Sequence, residues 1–189
     1  MCLRHRKIVP RANAAFSGVI NMKFRIRKYR SSDIESCRVL WAELTQKHRD
    51  IYNDQTIGGE NPGNNFDLYI DKNNLHGPWV AIFDGQPIGL TGLLVEGEEA
   101  DVEPAIVSKQ HRNQGVGKAL VKHAIEEAKK LKVRFLNVKP VVRNVEAISF
   151  LIKAGFNITG QIDLFQDLSR NPEREWKTGV NIHGNKLKY

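Results

Sequence analysis

The sequence predicts a single α/β domain in which a mixed sheet is packed by helices on both faces. Short alternating apolar segments are interleaved with segments of helical periodicity, an order that is typical of such layered folds. An apolar strand near 102–107 runs directly into a glycine-marked turn and a helix, a second feature of this class. Apolar and charged fractions of 41% and 26% are ordinary for one soluble globular domain.

The first third of the chain predicts a strand, a helix and a long irregular segment. Residues 24–29 alternate in polarity as a strand does, and Ser32 with Glu35 has the spacing of a capping box that opens a helix. From 49 to 78 the chain is rich in Asn, Gly and Asp, with a short helix predicted at 66–70. Loops of this length in compact domains are often functional. The apolar face of the first helix carries Ile34, Cys37, Leu40, Trp41 and Leu44.

The rest of the chain predicts further strands and helices, divided by turn residues and by changes of periodicity. Pro104 cannot donate to a ladder, so it predicts a bulge or a locally unpaired backbone within its strand. The predicted elements are a hairpin of 79–83 and 87–95, a strand at 100–107, a helix at 115–131, a strand at 135–138, a helix from Asn144, a strand at 157–165 and a terminal hairpin turning at Gly184-Asn185.

The turn after residue 107 has the features of a pyrophosphate site. Gly115 and Gly117 allow a tight turn that brings backbone N–H groups close to a ligand, and the helix start supplies further unpaired donors. Arg112 and Lys118 add positive charge at the two ends of the turn. A P-loop would need Gly at 112 and a hydroxyl residue at 119, and a dinucleotide fingerprint would need a third Gly at 120. An ordinary strand-to-helix turn is the alternative interpretation. His111 precedes Arg112 in this turn and is a candidate phosphate contact, although an exposed surface position is favoured.

These residues resemble a known family. The segment Arg112-x-x-Gly115-x-Gly117 resembles the acyl-CoA signature of the GNAT family of N-acetyltransferases. Asn144, a favoured residue for a helix N-cap, is followed by Ala147 and by Gly155-Phe156 and resembles the second block of that family in order and distance. Val102-Glu103-Pro104 and the segment 160–168 further resemble a group of largely uncharacterised prokaryotic, mainly archaeal, members.

The resemblance implies a central twisted, mostly antiparallel sheet that splays at the cofactor site. The segment 49–78 resembles the variable region that covers the acceptor in the family. It also implies direct acetyl transfer from acetyl-CoA, the cosubstrate, to a primary amine in a ternary complex, with no metal. Ile106 and Val107 would pair with the pantetheine arm through their backbone groups, and Asn144 would contact the cofactor. The pyrophosphate would be held by Arg112, Asn113, Gln114, Gly115, Val116, Gly117 and Lys118.

Two carboxylates are candidates for the general base. Asp101 and Glu103 lie two residues apart, hence on one face of the strand that should flank the thioester. Glu103 is favoured because Pro104 beside it marks the opening of the sheet. The alternative is that either carboxylate is an exposed strand residue or an ion-pair partner of Arg or Lys.

The sequence departs from the family at the general acid. Many members carry a tyrosine at the position of Leu151, which cannot protonate a thiolate. Protonation from water at pH 7 is favourable by roughly 2 kcal/mol, since a free thiol has a pKa of about 8.5. Tyr52 and Tyr69 are candidates for the missing acid, although packing or lining the substrate site explains them equally. A catalytically silent acyl-CoA-binding regulatory module is therefore the alternative function.

The distribution of charge and the cysteine content bear on the domain bounds and on the kinds of partner the protein can have. Four basic residues before Met22 contribute half of the net charge of +8, so residues 1–21 are expected to be a disordered extension or the product of an upstream start, with 22–189 forming the domain. A targeting peptide is less favoured, because this stretch is short and poor in serine. Basic residues lack aromatic interleaving, which argues against nucleic acid. Cys2 and Cys37 offer no disulfide framework or metal spacing.

The remaining expectations concern location and partners. No apolar run is long enough to span a bilayer, and a reducing cytoplasm fits the cysteine usage. The acceptor amine could belong to a small molecule or to a protein or peptide. Homodimerisation through the C-terminal hairpin is left open.

Overall fold

The computed structural model describes residues 23–168 and 176–189. The expectation for residues 1–21 lies outside the described residues. None of the helices in the described part of the chain combines the length and apolar character needed to cross a membrane. The strands are β1 (Arg25–Lys28), β2 (Leu75–Phe83), β3 (Gln86–Glu96), β4 (Glu99–Val107), β5 (Phe135–Asn137), β6 (Thr178–Ile182) and β7 (Asn185–Lys188). The helices are α1 (Ile34–Tyr52), α2 (Asn65–Ile70), α3 (Val116–Lys130) and α4 (Val145–Lys153).

Five strands form one mixed sheet in the order β1-β2-β3-β4-β5. The first four are antiparallel neighbours, whereas β5 runs parallel to β4 because helix α3 carries the chain back across the sheet. Strands β6 and β7 form a separate hairpin that turns at His183 and Gly184. The predicted α/β class, with a mostly antiparallel mixed sheet, is confirmed.

Successive side chains of a strand point to opposite faces of a sheet, and this sheet is buried on both faces. On one face, Val80 and Leu90 pack with Cys37 and Phe66, which come from α1 and α2. On the other face, the side chains of the sheet meet the apolar stripe of α3. This second layer contains Trp79, Ala81, Ile88, Leu93, Val102, Val116, Leu120, Ala124 and Ala128.

Helix α1 begins differently from the prediction. Instead of a Ser32–Glu35 capping box, the buried carboxylate of Asp33 accepts the Arg30 backbone N–H at 2.8 Å and forms a paired contact with Arg27 at 2.7 and 2.9 Å. The Arg27 guanidinium holds the pKa of Asp33 below its usual value of 3.8. This pair therefore stabilises the fold above that pH, and the contribution is lost as pH falls through the lower folded pKa. Glu35 binds Arg38 at 2.6 Å.

The strand predicted at 157–165 is wrong. Residues 157–168 contain no strand, and Ile158, Leu164 and Phe165 are exposed. Alternating polarity identifies a segment with two different faces, but a strand also needs a neighbour for its ladder. Among the described residues, β5 pairs only with β4, so its other edge does not supply that neighbour.

Candidate functional site

Strands β4 and β5 pair over only part of their length and then separate. They pair only from Glu99 to Asp101, and the remainder of β4 continues without a described neighbour on that side. The Ser108 N–H donates to Ile88 O at 2.9 Å, and antiparallel alternation therefore turns the backbone groups of Val107 toward the open edge. Ile106 pairs with Leu90 of β3. Of the two residues predicted to pair with an extended arm, Val107 is the one whose backbone faces the gap.

The open edge leads into the phosphate loop, which we define as residues 108–118. A short 3-10 turn at Lys109–His111 is followed by Asn113 and Gly115, with φ of 60° and 85°, and α3 begins at Val116. No side chain of the described residues caps this helix start. The first N–H groups of α3 are thus available to an anion, and the helix dipole favours negative charge there.

The side chains of the phosphate loop make few internal contacts. Nε of the half-buried Arg112 donates to Val107 O at 3.1 Å, which fixes the guanidinium at the end of β4. Gln114 Nε2 donates to Gln110 O at 3.1 Å, and Asn113 and Lys118 are exposed. The loop therefore combines an anchored guanidinium, an exposed ammonium and open backbone donors. This set is suited to a diphosphate group.

The structure adds Glu43 of α1, which the sequence analysis missed. Its carboxylate accepts the Lys109 N–H at 2.8 Å and lies 3.4 Å from Ser108 Oγ, so it ties the start of the phosphate loop to α1. No local pattern signals this contact, because Glu43 and Lys109 lie 66 positions apart in the sequence. Only the packing of α1 on the sheet brings them together.

Asn144 lies at the start of α4, the helix that follows β5 in the chain. Its Oδ1 accepts the Ala147 N–H at 3.2 Å, as predicted for a helix cap, and the residue is 8% exposed. No hydrogen bond among the described residues uses its Nδ2. Lys47 of α1 binds Glu146 at 2.8 Å, an ion pair that joins α4 to α1 and lowers the pKa of Glu146. The capping role is observed, and an amide donor remains for a ligand.

Asp101 and Glu103 are both ion-paired with lysines. Asp101 Oδ2 lies 2.6 Å from Lys139 Nζ, and Glu103 Oε1 lies 3.4 Å from Lys72 Nζ. The hydrogen bond to Asp101 raises the pKa of Lys139. The Asp101 side chain is 24% exposed and that of Glu103 is 46% exposed. Glu103 therefore has both the longer ion pair and the more accessible carboxylate. Both carboxylates thus form the ion pairs that the alternative interpretation expected. The ion pair of Glu103 is the weaker of the two.

The candidates for the missing acid have other contacts. Tyr69 is 1% exposed and its hydroxyl donates to the Glu103 backbone oxygen at 2.6 Å. Burial, with the nearby Glu103 charge as the second cause, raises the pKa of Tyr69. The ring of Tyr52 lies 4.7 Å from the Arg143 guanidinium. Leu151 is buried within α4 and brings no proton donor.

Two further predictions can be compared with the structure. Cys37 is fully buried in the core, which raises the pKa of its thiol to about 12, so its predicted core role is confirmed. His111, expected to be exposed, is half-buried, with its ring 5.7 Å from that of Phe83. Within residues 23–168 and 176–189, no cluster of His, Cys, Asp or Glu is arranged to hold a metal ion.

Comparison with known families identifies this architecture. The Acetyltransferase (GNAT) family matches residues 41–156, which include the phosphate loop, both β4 carboxylates and the Asn144 helix. The chain belongs to the GNAT family of acetyltransferases.

Curated relatives and solved structures agree with that assignment. The chain is 36% identical over 87 residues to peptidyl-lysine N-acetyltransferase YjaB of Salmonella typhimurium, a match that covers 46% of this chain and 54% of the relative. The Escherichia coli protein of the same name is 33% identical over 87 residues, which cover 46% of this chain and 53% of the relative. The chain therefore spans about half the length of the curated relatives it matches. These relatives are bacterial and do not support the mainly archaeal grouping.

Two solved structures show the same fold. A GNAT acetyltransferase from Staphylococcus aureus MU50 superposes with a TM-score of 0.61 at 17% identity, over 80% of this chain and 96% of that one. The aminoglycoside N-acetyltransferase AAC(6')-Iy, solved in complex with CoA, gives 0.60 at 17% identity, over 86% and 100% of the two chains. At these identities the likeness establishes the fold, and function must be argued from the site.

Proposed function

We propose that this protein transfers an acetyl group from acetyl-CoA to a primary amine by direct attack in a ternary complex. The observation that carries the proposal is the continuous path from the open edge of β4 at Val107 into the uncapped start of α3. An extended arm can pair with the strand edge while its diphosphate meets the helix N–H groups. The family relatives named as N-acetyltransferases support this reading.

Each predicted cofactor residue has a part in this proposal. Val107 N–H pairs with the arm, and Ile106 supports it from the core. The diphosphate is bound by the N–H groups from Gly115 to Lys118 and by the free guanidinium nitrogens of Arg112. Asn113 and Gln114 shape the turn, and Asn144 donates to the cofactor through Nδ2, which its capping bond leaves unused.

The chemical step needs a neutral amine beside the thioester. The acceptor nitrogen attacks the carbonyl carbon, the C–S bond breaks, and the amine proton passes to Glu103 or, through a water, to Asp101. Deprotonating a lysine-like amine at pH 7 costs about 4–5 kcal/mol, against about 1 kcal/mol for an α-amine. A base therefore matters most for lysine-like acceptors. The departing thiolate takes its proton from water, since Leu151 offers none.

The acceptor class follows from the charge of the site. Two carboxylates on one face of β4 favour a cationic amine, and the named relatives act on peptidyl-lysine and aminoglycosides, which are both of this kind. An acceptor amine on a small molecule and one on a protein or peptide both stay within this proposal.

We further propose that residues 22–189 form a single domain and that the protein acts in the cytoplasm. We propose no binding to nucleic acid or to membranes. A homodimer and the likeness to archaeal members stay predictions.

One observation favours a second function. Leu151 is buried where many members carry a tyrosine acid, and both candidate bases are already paired with lysines. A silent acyl-CoA-binding module would show these features. Free thiol should be followed with acetyl-CoA and a panel of peptide N-termini, lysine peptides, polyamines and aminoglycosides. Amine-dependent thiol release supports the transferase, whereas acetyl-CoA binding without release across the panel supports the module.

A further inference from the structure

Tyr69 joins helix α2 to strand β4. The centroid of its ring lies 5.1 Å from that of Trp41 and 6.1 Å from that of Phe66. That hydroxyl donates to the backbone oxygen of Glu103 at 2.6 Å. A tyrosine hydroxyl is protonated at neutral pH, and burial raises the pKa of Tyr69 further, so the hydroxyl acts here as a hydrogen-bond donor.

The acceptor oxygen of this bond lies in a β-bulge. Thr91 pairs with Ala105 and Leu93 pairs with Val102, so Glu103 and Pro104 together face the single residue Gly92. Bulges of this type turn a side chain away from its regular direction. The bulge therefore sets the position and direction from which the Glu103 side chain leaves the strand.

Gly92 leaves the room that the Tyr69 hydroxyl occupies. A Cβ atom at position 92 would overlap that hydroxyl and would lie 3.3 Å from the Glu103 backbone oxygen. The three parts of the arrangement are thus matched in size: a glycine on β3, a tyrosine from α2 and the bulged carbonyl of β4.

We propose that Tyr69 is a positioning residue for Glu103, an inference that rests on the proposed role of Glu103 as the base. The same helix region reaches Glu103 twice. Tyr69 binds its backbone oxygen, and Lys72, lying 5.8 Å from the Tyr69 ring centroid, approaches its carboxylate. Because α2 belongs to the 49–78 segment expected to cover the acceptor, the base and the acceptor side share one support.

The test compares Tyr69→Phe in two backgrounds, using the best amine from the acceptor panel. Against the wild type, kcat should fall by roughly 10- to 10²-fold, the range expected when a reacting group is displaced. The KM for acetyl-CoA should stay within about twofold, because the phosphate loop is unchanged. In the Glu103→Gln background, the same substitution should alter kcat by less than about twofold, since the group it positions is already lost.

Controls separate positioning from general core damage. Tyr29→Phe changes a tyrosine that packs on the same cluster and should leave kcat unaltered. Gly92→Ala should lower kcat, and Tyr69→Phe should partly restore activity to it by removing the overlapping hydroxyl. Equal losses from Tyr69→Phe in both backgrounds, or loss from Tyr29→Phe of the same size, would overturn the inference alone. A wild type that releases no thiol with any amine would overturn the proposed function, and the inference with it.

Discussion

The two ends of the candidate site are built in different ways. At the phosphate loop, the groups proposed to bind the cofactor are mostly backbone N–H donors of consecutive residues, held in place by the φ of Gly115 and the start of α3. At the carboxylates of β4, each residue is held by residues from elsewhere in the chain. Glu103 is contacted by Lys72 at its carboxylate and by Tyr69 at its backbone oxygen, and Asp101 is contacted by Lys139. One end is local in sequence, and the other is assembled by tertiary packing.

This difference explains why the two ends tolerate substitution differently. A backbone site depends on glycine positions and on a helix start, so most of its side chains can change without loss of the donors. A carboxylate site depends on how exposed and how strongly paired each group is. We therefore expect the phosphate loop to be sensitive at Gly115, and β4 to be sensitive at Glu103 and at the residues that hold it.

The largest expected effect is at Glu103. Glu103→Gln keeps the shape of the side chain and removes the proton acceptor, so kcat with a lysine-like amine should fall by roughly 10² or more. An α-amine acceptor should lose less, because its neutral form is already abundant near pH 7. Thiol release against pH for wild type, Glu103→Gln and the matched variant Asp101→Asn measures this. If only Asp101→Asn loses activity, Asp101 is the base. If turnover is unchanged in both variants, neither carboxylate of β4 is the base.

The next effect concerns the phosphate loop as a whole. Acetyl-CoA at about 100 times its Kd should raise the free energy of unfolding by roughly 2.7 kcal/mol if it binds only the folded state. Denaturant unfolding with and without ligand gives the value, and calorimetry gives the Kd. Gly115→Asp places a negative charge at the uncapped helix start and should abolish most of the gain. If a folded Gly115→Asp protein binds as tightly as the wild type, the diphosphate does not lie at this loop.

Two alanine substitutions separate the glycines of the signature. Gly115 has φ of 85°, so Gly115→Ala should cost about 1–2 kcal/mol of stability and weaken acetyl-CoA binding. Gly117 lies inside α3, and a Cβ there would meet Phe150 and Val107 at an ordinary 3.6 Å. Gly117→Ala should therefore raise stability by up to about 1 kcal/mol and leave the Kd within about threefold. Thermal unfolding of both variants decides this, and equal destabilisation would contradict the backbone argument.

The extent of prediction from sequence follows the same division. The strand-turn-helix at 102–118, the Asn144 cap and the α2 helix are local patterns, and the structure confirms them. The Asp33 contact at the start of α1 was missed, because Ser32 and Glu35 have the spacing of a capping box, whereas no spacing pattern signals that Asp33 accepts from Arg27 and from the Arg30 N–H. The strand predicted at 157–165 was wrong for a similar reason: alternation does not reveal whether a partner edge exists.

Glu43 offers the smallest effect and the finest test of how the phosphate loop is held. Its carboxylate accepts the Lys109 N–H, yet its charge also lies beside a site for an anion. Glu43→Gln keeps an acceptor oxygen and removes the charge, so the Kd for acetyl-CoA should stay the same or improve by up to about threefold. Glu43→Ala removes the acceptor and should weaken binding by about 3- to 10-fold, equivalent to one ordinary hydrogen bond. Calorimetry at two salt concentrations separates the effect of the Glu43 charge from that of its hydrogen bond, because salt screens only the charge effect. Equal affinities for the two variants would mean that α1 does not position the loop.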